Sequence, residues 1–464
     1  MGSLAQLAKA AGHKVSGSDA NVYPPMSEQL ELAGIALTQG FDPSQLDPAP
    51  DLVVVGNALS RGNPCVEYLL RNRLPYTSGP QWLGEHFLGD QWVLAVAGTH
   101  GKTTTASMLA WILEYAGLEP GFLIGGVPTN FDVSARQGGG TYFVVEADEY
   151  DTAFFDKRSK FLHYHPRTAI LNNLEFDHAD IFSCLADIQT QFHHLIRTVP
   201  DDGLIIYPAD DENLKATLSG RFDSRYSPDK DYLWTAEQTT GHKGRWQADL
   251  QEEDGSVFTV RDTACKDEGV EEGQVSWSQN GMHNVANALA AIAAAHHVNV
   301  SVAQSCRALS TFTGVKRRME CLGEIDGIRV YDDFAHHPTA IATTLDGLRK
   351  KVGREKIIAV IEPRSNTMKM GVHKAELLNA VAKADEVLWF QAAGMAWSLA
   401  DSCEGNDPQG DMRHKIHVVD DLEVLVEQAL QAARAEKGAP VHVLIMSNGG
   451  FGGFHRRLLA GLSC

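Results

Sequence analysis

An α/β architecture in three domains is predicted by three features of this sequence. They are its 464-residue length, the alternation of short apolar runs with amphipathic stretches, and a glycine-rich turn set between one such run and a helix. At about 150 residues per domain, a chain of this length divides into roughly three. Alternating strand and helix patterns build layers around parallel sheets. Candidate strands are residues 51–56, 92–97, 142–146, 168–171, 204–207, 356–361, 386–390 and 441–446. Several give way at once to Gly, Pro, Asn or acidic residues, and ligands in such folds bind beyond the carboxyl ends of the strands.

In chain order, the first region covers residues 1–90 and ends in a turn-rich 77–80 followed by a helix. The second, 91–319, opens with the strand at Trp92 and closes after the Ala-rich helix 285–295. Within it, the polar stretch 226–275 reads as β-hairpins or loops at a sheet edge. The third region, 320–464, begins after Lys316, Arg317 and Arg318.

Composition excludes several classes. No apolar run reaches the roughly 18 residues needed to span a bilayer, and Gln6, Lys9 and His13 interrupt any leader-like stretch. Seven cysteines, an odd number without CxxC pairs, fit free thiols in the reducing cytoplasm. A net charge of −19 opposes a nucleic-acid surface, which carries a basic stripe. It does not oppose an anionic small molecule, because local clusters such as Lys157, Arg158 and Lys160 or Lys316–Arg318 can override the global field. Either cluster also fits a solvated surface.

The sharpest motif is Gly98-Thr99-His100-Gly101-Lys102-Thr103-Thr104. It follows the apolar run 92–97 and precedes a helix with Leu109, Ile112, Leu113 and Ala116 on its apolar positions, with Gly117 at the C-terminal end. Strand, glycine turn and helix N-terminus together make an anion site. Backbone N–H groups point at phosphate, Lys102 neutralises it, and Thr103 can ligate Mg²⁺. Val96 stands where the longer phosphate-loop pattern has glycine, so this is a shortened variant.

Two more strand ends carry chemistry. Residues 142–145 lead into Glu146, Asp148, Glu149 and Asp151, and 168–171 lead into Asn172-Asn173-Leu174-Glu175-Phe176-Asp177-His178. Acids facing a phosphate loop supply the oxygen ligands that Mg²⁺ needs. Histidine is an uncommon Mg²⁺ ligand, so by residue type His178 fits a structural or proton-handling role equally well.

GTHGKTTT, EADEYD, NNLEFDHAD, MHNVANALAAIA, VKRRME and YDDFAHHPTA, in this order, resemble the Mur ligases, ATP-dependent enzymes that build the muropeptide. The resemblance spans residues 1–464. It implies a Rossmann-like UDP-sugar domain, a P-loop ATPase central domain and a Rossmann-like C-terminal domain that brings the amine. It implies that Lys102 holds the β- and γ-phosphates of ATP and that Thr103, Glu149 and His178 lie at the metal. Asn284 and Asn287 correspond to positions near adenine, Arg318 to a phosphate contact and Asp333 to a ribose contact, with His336 and His337 beside it. Ser18, Asp19, Asn57 and Ser60 are candidates for the UDP-sugar.

Four further segments, 17–26, 153–161, 362–371 (EPRSNTMKMG) and 446–453 (MSNGGFGG), resemble members that accept a peptide. The last two differ from members that add free L-alanine. The implied reaction phosphorylates UDP-N-acetylmuramate with ATP. The acyl phosphate is then passed to the amine of L-alanyl-γ-D-glutamyl-meso-diaminopimelate, in peptidoglycan recycling. Arg364 and Lys369 are the candidates for the peptide's carboxylates. Transfer of free L-alanine and a non-catalytic nucleotide-binding role are the competing readings. Family members open with a strand and glycine-rich loop, whereas Met1-Gly2-Ser3-Leu4 resembles the helix after that loop, so the strand is expected to be missing. No lysine here matches the carbamylated lysine that several relatives carry at a metal.

Overall fold

The computed structural model describes residues 1–22, 26–220, 235–264, 271–395, 397–399, 415–436 and 438–463. Six of the eight candidate strands have the expected limits: Trp92–Ala97, Tyr142–Glu146, Thr168–Leu171, Lys356–Ile361, Glu386–Phe390 and Val441–Met446. Of the other two, 51–56 shrinks to Val53–Val55 and 204–207 extends to Leu204–Pro208. Most of these runs could be read because a parallel strand covered on both faces is apolar along most of its length.

Among the described residues the central sheet has ten strands. At its heart Leu204–Pro208, Thr168–Leu171, Trp92–Ala97, Tyr142–Glu146 and Gly121–Leu123 lie side by side and parallel. The expected hairpin edge is present as Trp246–Leu250, Val257–Asp262 and Glu271–Ser276, paired antiparallel. Residues 226–234 and 265–270 of that stretch, and 23–25 of the segment 17–26, lie outside the described residues. Apolar side chains bury both faces of the sheet. Helix Lys102–Tyr115 and helix Met282–His297 cover one face, and Leu185–Ile196 covers the other.

Among its described residues the third region holds a six-stranded sheet with an antiparallel edge, Glu320–Ile325 on Ile328–Asp333. Next come Val441–Met446, Lys356–Ile361, Glu386–Phe390 and Ile416–Val419, all parallel, with a core on each face. The first region holds two separate parallel pairs, Ser16–Asp19 with Ala36–Gln39 and Val53–Val55 with Tyr76–Ser78. The turn expected at 77–80 is therefore a correction. Thr77 and Ser78 finish a strand, and the Ser78 hydroxyl accepts the Gln81 N–H at 3.2 Å to cap helix Gly79–Leu83, with Pro80 in its first turn. Among the described residues no helix is long and apolar enough to cross a membrane.

Candidate functional site

Register puts the motifs on one crest. Val96 is level with Glu146, and Ala97 with Leu171, so the phosphate loop, the acid run and the Asn-Asn loop leave three adjacent strands at the same height. In the third region, Asp333 and Ile361 are both level with Met446. The two carboxyl-end crests face each other, which is where open α/β sheets bind ligands.

The phosphate loop is set by its glycines. Gly98 and Gly101 have φ of 139° and 78°, a region that disfavours side chains. A Cβ on Gly101 would lie 2.6 Å from Asn287 Oδ1 and 2.8 Å from Asn172 Nδ2. The loop is braced from below. Asn173 accepts the N–H of Thr99 through its carbonyl at 3.1 Å and that of His100 through its side chain at 2.7 Å. Asn172 Nδ2 donates to Thr105 Oγ1 at 2.8 Å and to Asn287 Oδ1 at 3.1 Å. Helix Lys102–Tyr115 then starts at Gly101 with no side-chain cap, so its N-terminus is open to an anion. Thr103 and Thr104 lie in its first turn.

Lys102 is buried. Its Nζ donates to Gly98 O at 2.7 Å and to Glu149 Oε2 at 3.0 Å, with Asp148 at 3.7 Å. Burial pulls its pKa down, but Glu149, Asp148 and Glu146 outweigh burial and raise it, so the ammonium stays charged. The other oxygen of Glu149 lies 2.8 Å from His178 Nε2. Burial drives the Glu149 carboxyl up, yet Lys102 and His178 prevail and hold it at about 2. His178 is raised in turn, Glu149 overcoming the effect of burial, and it packs on the ring of Tyr150 with centroids 4.2 Å apart. Its φ of 56° is unusual for a non-glycine residue, a strain that collects at functional sites.

Thr103 Oγ1 donates to Glu146 Oε1 at 2.8 Å and accepts from Arg318 Nη2 at 3.3 Å. Glu146 also accepts the N–H of Gly125 at 2.6 Å. Its carboxyl is pushed up by burial and then by Asp148. Thr103, Glu146, Asp148 and Glu149 thus gather hard oxygen donors of the kind Mg²⁺ takes, and a divalent cation would relieve the repulsion between Glu146 and Asp148.

The remaining predicted residues fall as follows. Asn284 and Asn287 are buried; Asn284 donates to Asn280 O at 2.8 Å, and Asn287 supports the phosphate loop. Arg318 is held over the Phe334 ring at 4.8 Å. Asp333 accepts the N–H groups of Met319 and Ala335, each at 2.8 Å. Arg364 is exposed and lies against Gly449, and Lys369 is half-buried. Ser18, Asp19, Asn57 and Ser60 are exposed, the first pair on Ser16–Asp19 and the second beyond Val53–Val55.

Residues not singled out from the sequence join the crests. Thr367 Oγ1 donates to Asp177 at 2.8 Å and accepts the Ala179 N–H at 3.2 Å. Asn366 Nδ2 donates to Asp180 at 2.8 Å, and Thr339 Oγ1 to Glu175 at 2.8 Å. The adjacent Asn172 and Asn173 at a strand end were a readable signal; the pairing of Thr367 with Asp177 was not.

Residues 1–90 match the Mur ligase family catalytic domain, 96–295 the Mur ligase middle domain, and 317–449 the Mur ligase glutamate ligase domain. The chain is 53% identical over 464 residues to the UDP-N-acetylmuramate–L-alanyl-γ-D-glutamyl-meso-2,6-diaminoheptandioate ligase of Escherichia coli K12, covering 100% of this chain and 96% of that one. It is 50% identical over 460 residues to the ligase of the same name from Haemophilus influenzae, covering 99% and 96%. The crystal structure of a murein peptide ligase from Psychrobacter arcticus superposes with a TM-score of 0.74 at 49% identity, covering 100% and 96%. With its three-domain α/β architecture and three matched domains, this chain belongs to the Mur ligase family of ATP-dependent ligases.

Proposed function

We propose that the protein joins UDP-N-acetylmuramate to L-alanyl-γ-D-glutamyl-meso-diaminopimelate in the cytoplasm, with cleavage of ATP to ADP and phosphate. Residues 1–90 hold the UDP-sugar through Ser18, Asp19, Asn57 and Ser60. Residues 91–319 hold ATP, and 320–464 bring the peptide. The observation that carries this reading is the pair Asp177-His178. Asp177 is bonded to the third region's Thr367, and His178 to the Glu149–Lys102 pair beside the phosphate loop. An acceptor loop is thereby tied to a phosphoryl-transfer centre within two consecutive residues.

The lactyl carboxylate takes the γ-phosphoryl group, giving an acyl phosphate and ADP. The peptide's α-amine then attacks the acyl carbon, the amine loses its proton, and phosphate leaves. Lys102 places a full charge where two anions must meet, and preorganised charge of this kind usually does most to lower the barrier of such reactions. Thr103, Glu149 and His178, with Glu146 beside them, would hold Mg²⁺, which supplies further charge neutralisation between phosphate and carboxylate. Arg318 reaches the same loop from the third region's side, and the helix N-terminus at Lys102 receives the phosphates. Arg364 and Lys369 grip the peptide's carboxylates, and docking of the third region excludes the water that would hydrolyse the acyl phosphate.

The test is ADP release with UDP-N-acetylmuramate and either the tripeptide or L-alanine. Tripeptide-dependent ADP formation with the amide as product is expected. Preference for L-alanine overturns the acceptor, and nucleotide binding without turnover overturns the catalysis.

A further inference from the structure

A second group of ligand-bearing side chains stands where the second and third regions meet, apart from the Lys102–Glu149 centre. His100 comes from the phosphate loop, Glu175 from the loop after Thr168–Leu171, and His337 from the cap of helix Pro338–Val352. Glu175 Oε2 lies 3.4 Å from His100 Nε2 and 3.6 Å from His337 Nδ1. One ligand atom from each residue falls within 4.8 Å of the others. Zinc bonds of about 2.0–2.2 Å in a tetrahedron place neighbouring ligands roughly 3.3–3.6 Å apart, so the Glu175 spacings are those of a site.

These nitrogens are largely uncommitted. Among the described residues His100 Nε2 is buried without a hydrogen-bond partner. His337 is 4% exposed; its Nδ1 holds only a 3.3 Å bond from the Thr339 N–H, and its Nε2 is also unpaired. The ring of His373, whose Nε2 is unpaired too, lies 4.4 Å from that of His337. Burial, with His100 and His373 nearby, lowers the His337 pKa and keeps the imidazole neutral. Glu175 is held below the usual carboxylate range, chiefly by His100 beside it. Neutral imidazole and ionised carboxylate are the forms that ligate.

We propose that His100, Glu175 and His337 bind a transition-metal ion of the Zn²⁺ class, distinct from the Mg²⁺ position at Thr103 and Glu149. Two imidazoles and one carboxylate suit zinc and leave a fourth position for water, whereas Mg²⁺ demands oxygen and octahedral geometry. The ion would tie the phosphate loop to the third region, so that opening between them requires its release. The site stands or falls independently of the ligase reading.

The experiment is calorimetric titration of the full chain with Zn²⁺ in excess Mg²⁺, with anomalous diffraction at the zinc edge. One zinc at this cluster is expected, with binding weakened at least ~10-fold in Glu175→Gln and His337→Gln, the scale on which even supporting residues around a metal act. Anomalous density elsewhere only, or unchanged zinc affinity in both variants, overturns the proposal. The wild-type density decides the matter even where a variant does not fold.

Discussion

The hydroxyl of Thr367 donates a 2.8 Å hydrogen bond to the carboxylate of Asp177, 190 residues earlier in the chain. Both residues are buried, Asp177 at 3% exposure and Thr367 at 2%. Asp177 is also the chain neighbour of His178, whose ring meets Glu149 beside the glycine-rich loop. The contact between the second and third regions and the Glu149–His178 pair therefore share one short piece of backbone.

Thr367→Val keeps the shape and deletes the hydroxyl. A buried carboxylate then loses a donor, at a cost of about 1–3 kcal/mol that falls on the closed state. Steady-state kinetics should show the peptide KM rising by roughly tenfold while the secondary-structure content stays unchanged. Kinetics identical to wild type would separate this contact from closure.

Lys102→Ala should lower ligation by at least ~100-fold, on the scale of losing a transition-state donor. It also strips Glu149 of its buried lysine partner, and breaking a buried pair costs about 3–5 kcal/mol. Lower stability in denaturant titration should therefore accompany the lost turnover. A stable, active variant would remove Lys102 from the reaction.

Arg364 is exposed on the loop after Lys356–Ile361, lying against Gly449. Arg364→Ala should raise the tripeptide KM by an amount equivalent to about 1.5–3 kcal/mol, the worth of a charge-assisted hydrogen bond. The KM values for ATP and UDP-N-acetylmuramate should barely move. An equal effect on all three substrates would make the loop structural.

His283 is pushed down to about 4, first by burial and then by Arg318. An imidazole whose folded pKa lies below its unfolded value of about 6.5 takes up its proton more readily when unfolded. Its contribution is therefore constant above about pH 6.5, and stability falls as pH drops from there towards 4. Denaturant midpoints for wild type and His283→Gln, measured across that window, should converge or cross as the pH falls. Parallel pH profiles would refute the assignment.

How much of this molecule can be read from its sequence depends on the range of the forces involved. Trp92–Ala97, Thr168–Leu171 and Lys356–Ile361 are legible because a strand buried on both faces admits little but apolar side chains. The phosphate loop is legible because Gly98 and Gly101 mark positive φ between a strand and a helix, and Lys102 follows at once. The three-region plan comes from length and from the spacing of such runs. Short elements such as Tyr76–Ser78 and Gly121–Leu123 carry too few residues to show a period, and their pairing partners supply what their composition does not.

The side-chain partnerships belong to the tertiary structure. Four acids follow one another at 146–151, and only the register of adjacent strands and the turn after them put Glu149 on Lys102 and Glu146 on Thr103. The two oxygens of Asp333 each accept a backbone N–H group, one of them from the segment entering the third region, and no sequence pattern announces that pairing. His100, Glu175 and His337, like Asp177 and Thr367, become neighbours only because two sheets present their carboxyl edges to one another. Local sequence encodes the burial and backbone geometry of each element, but contacts across hundreds of residues leave no periodic trace, so they exist only once the domains have docked.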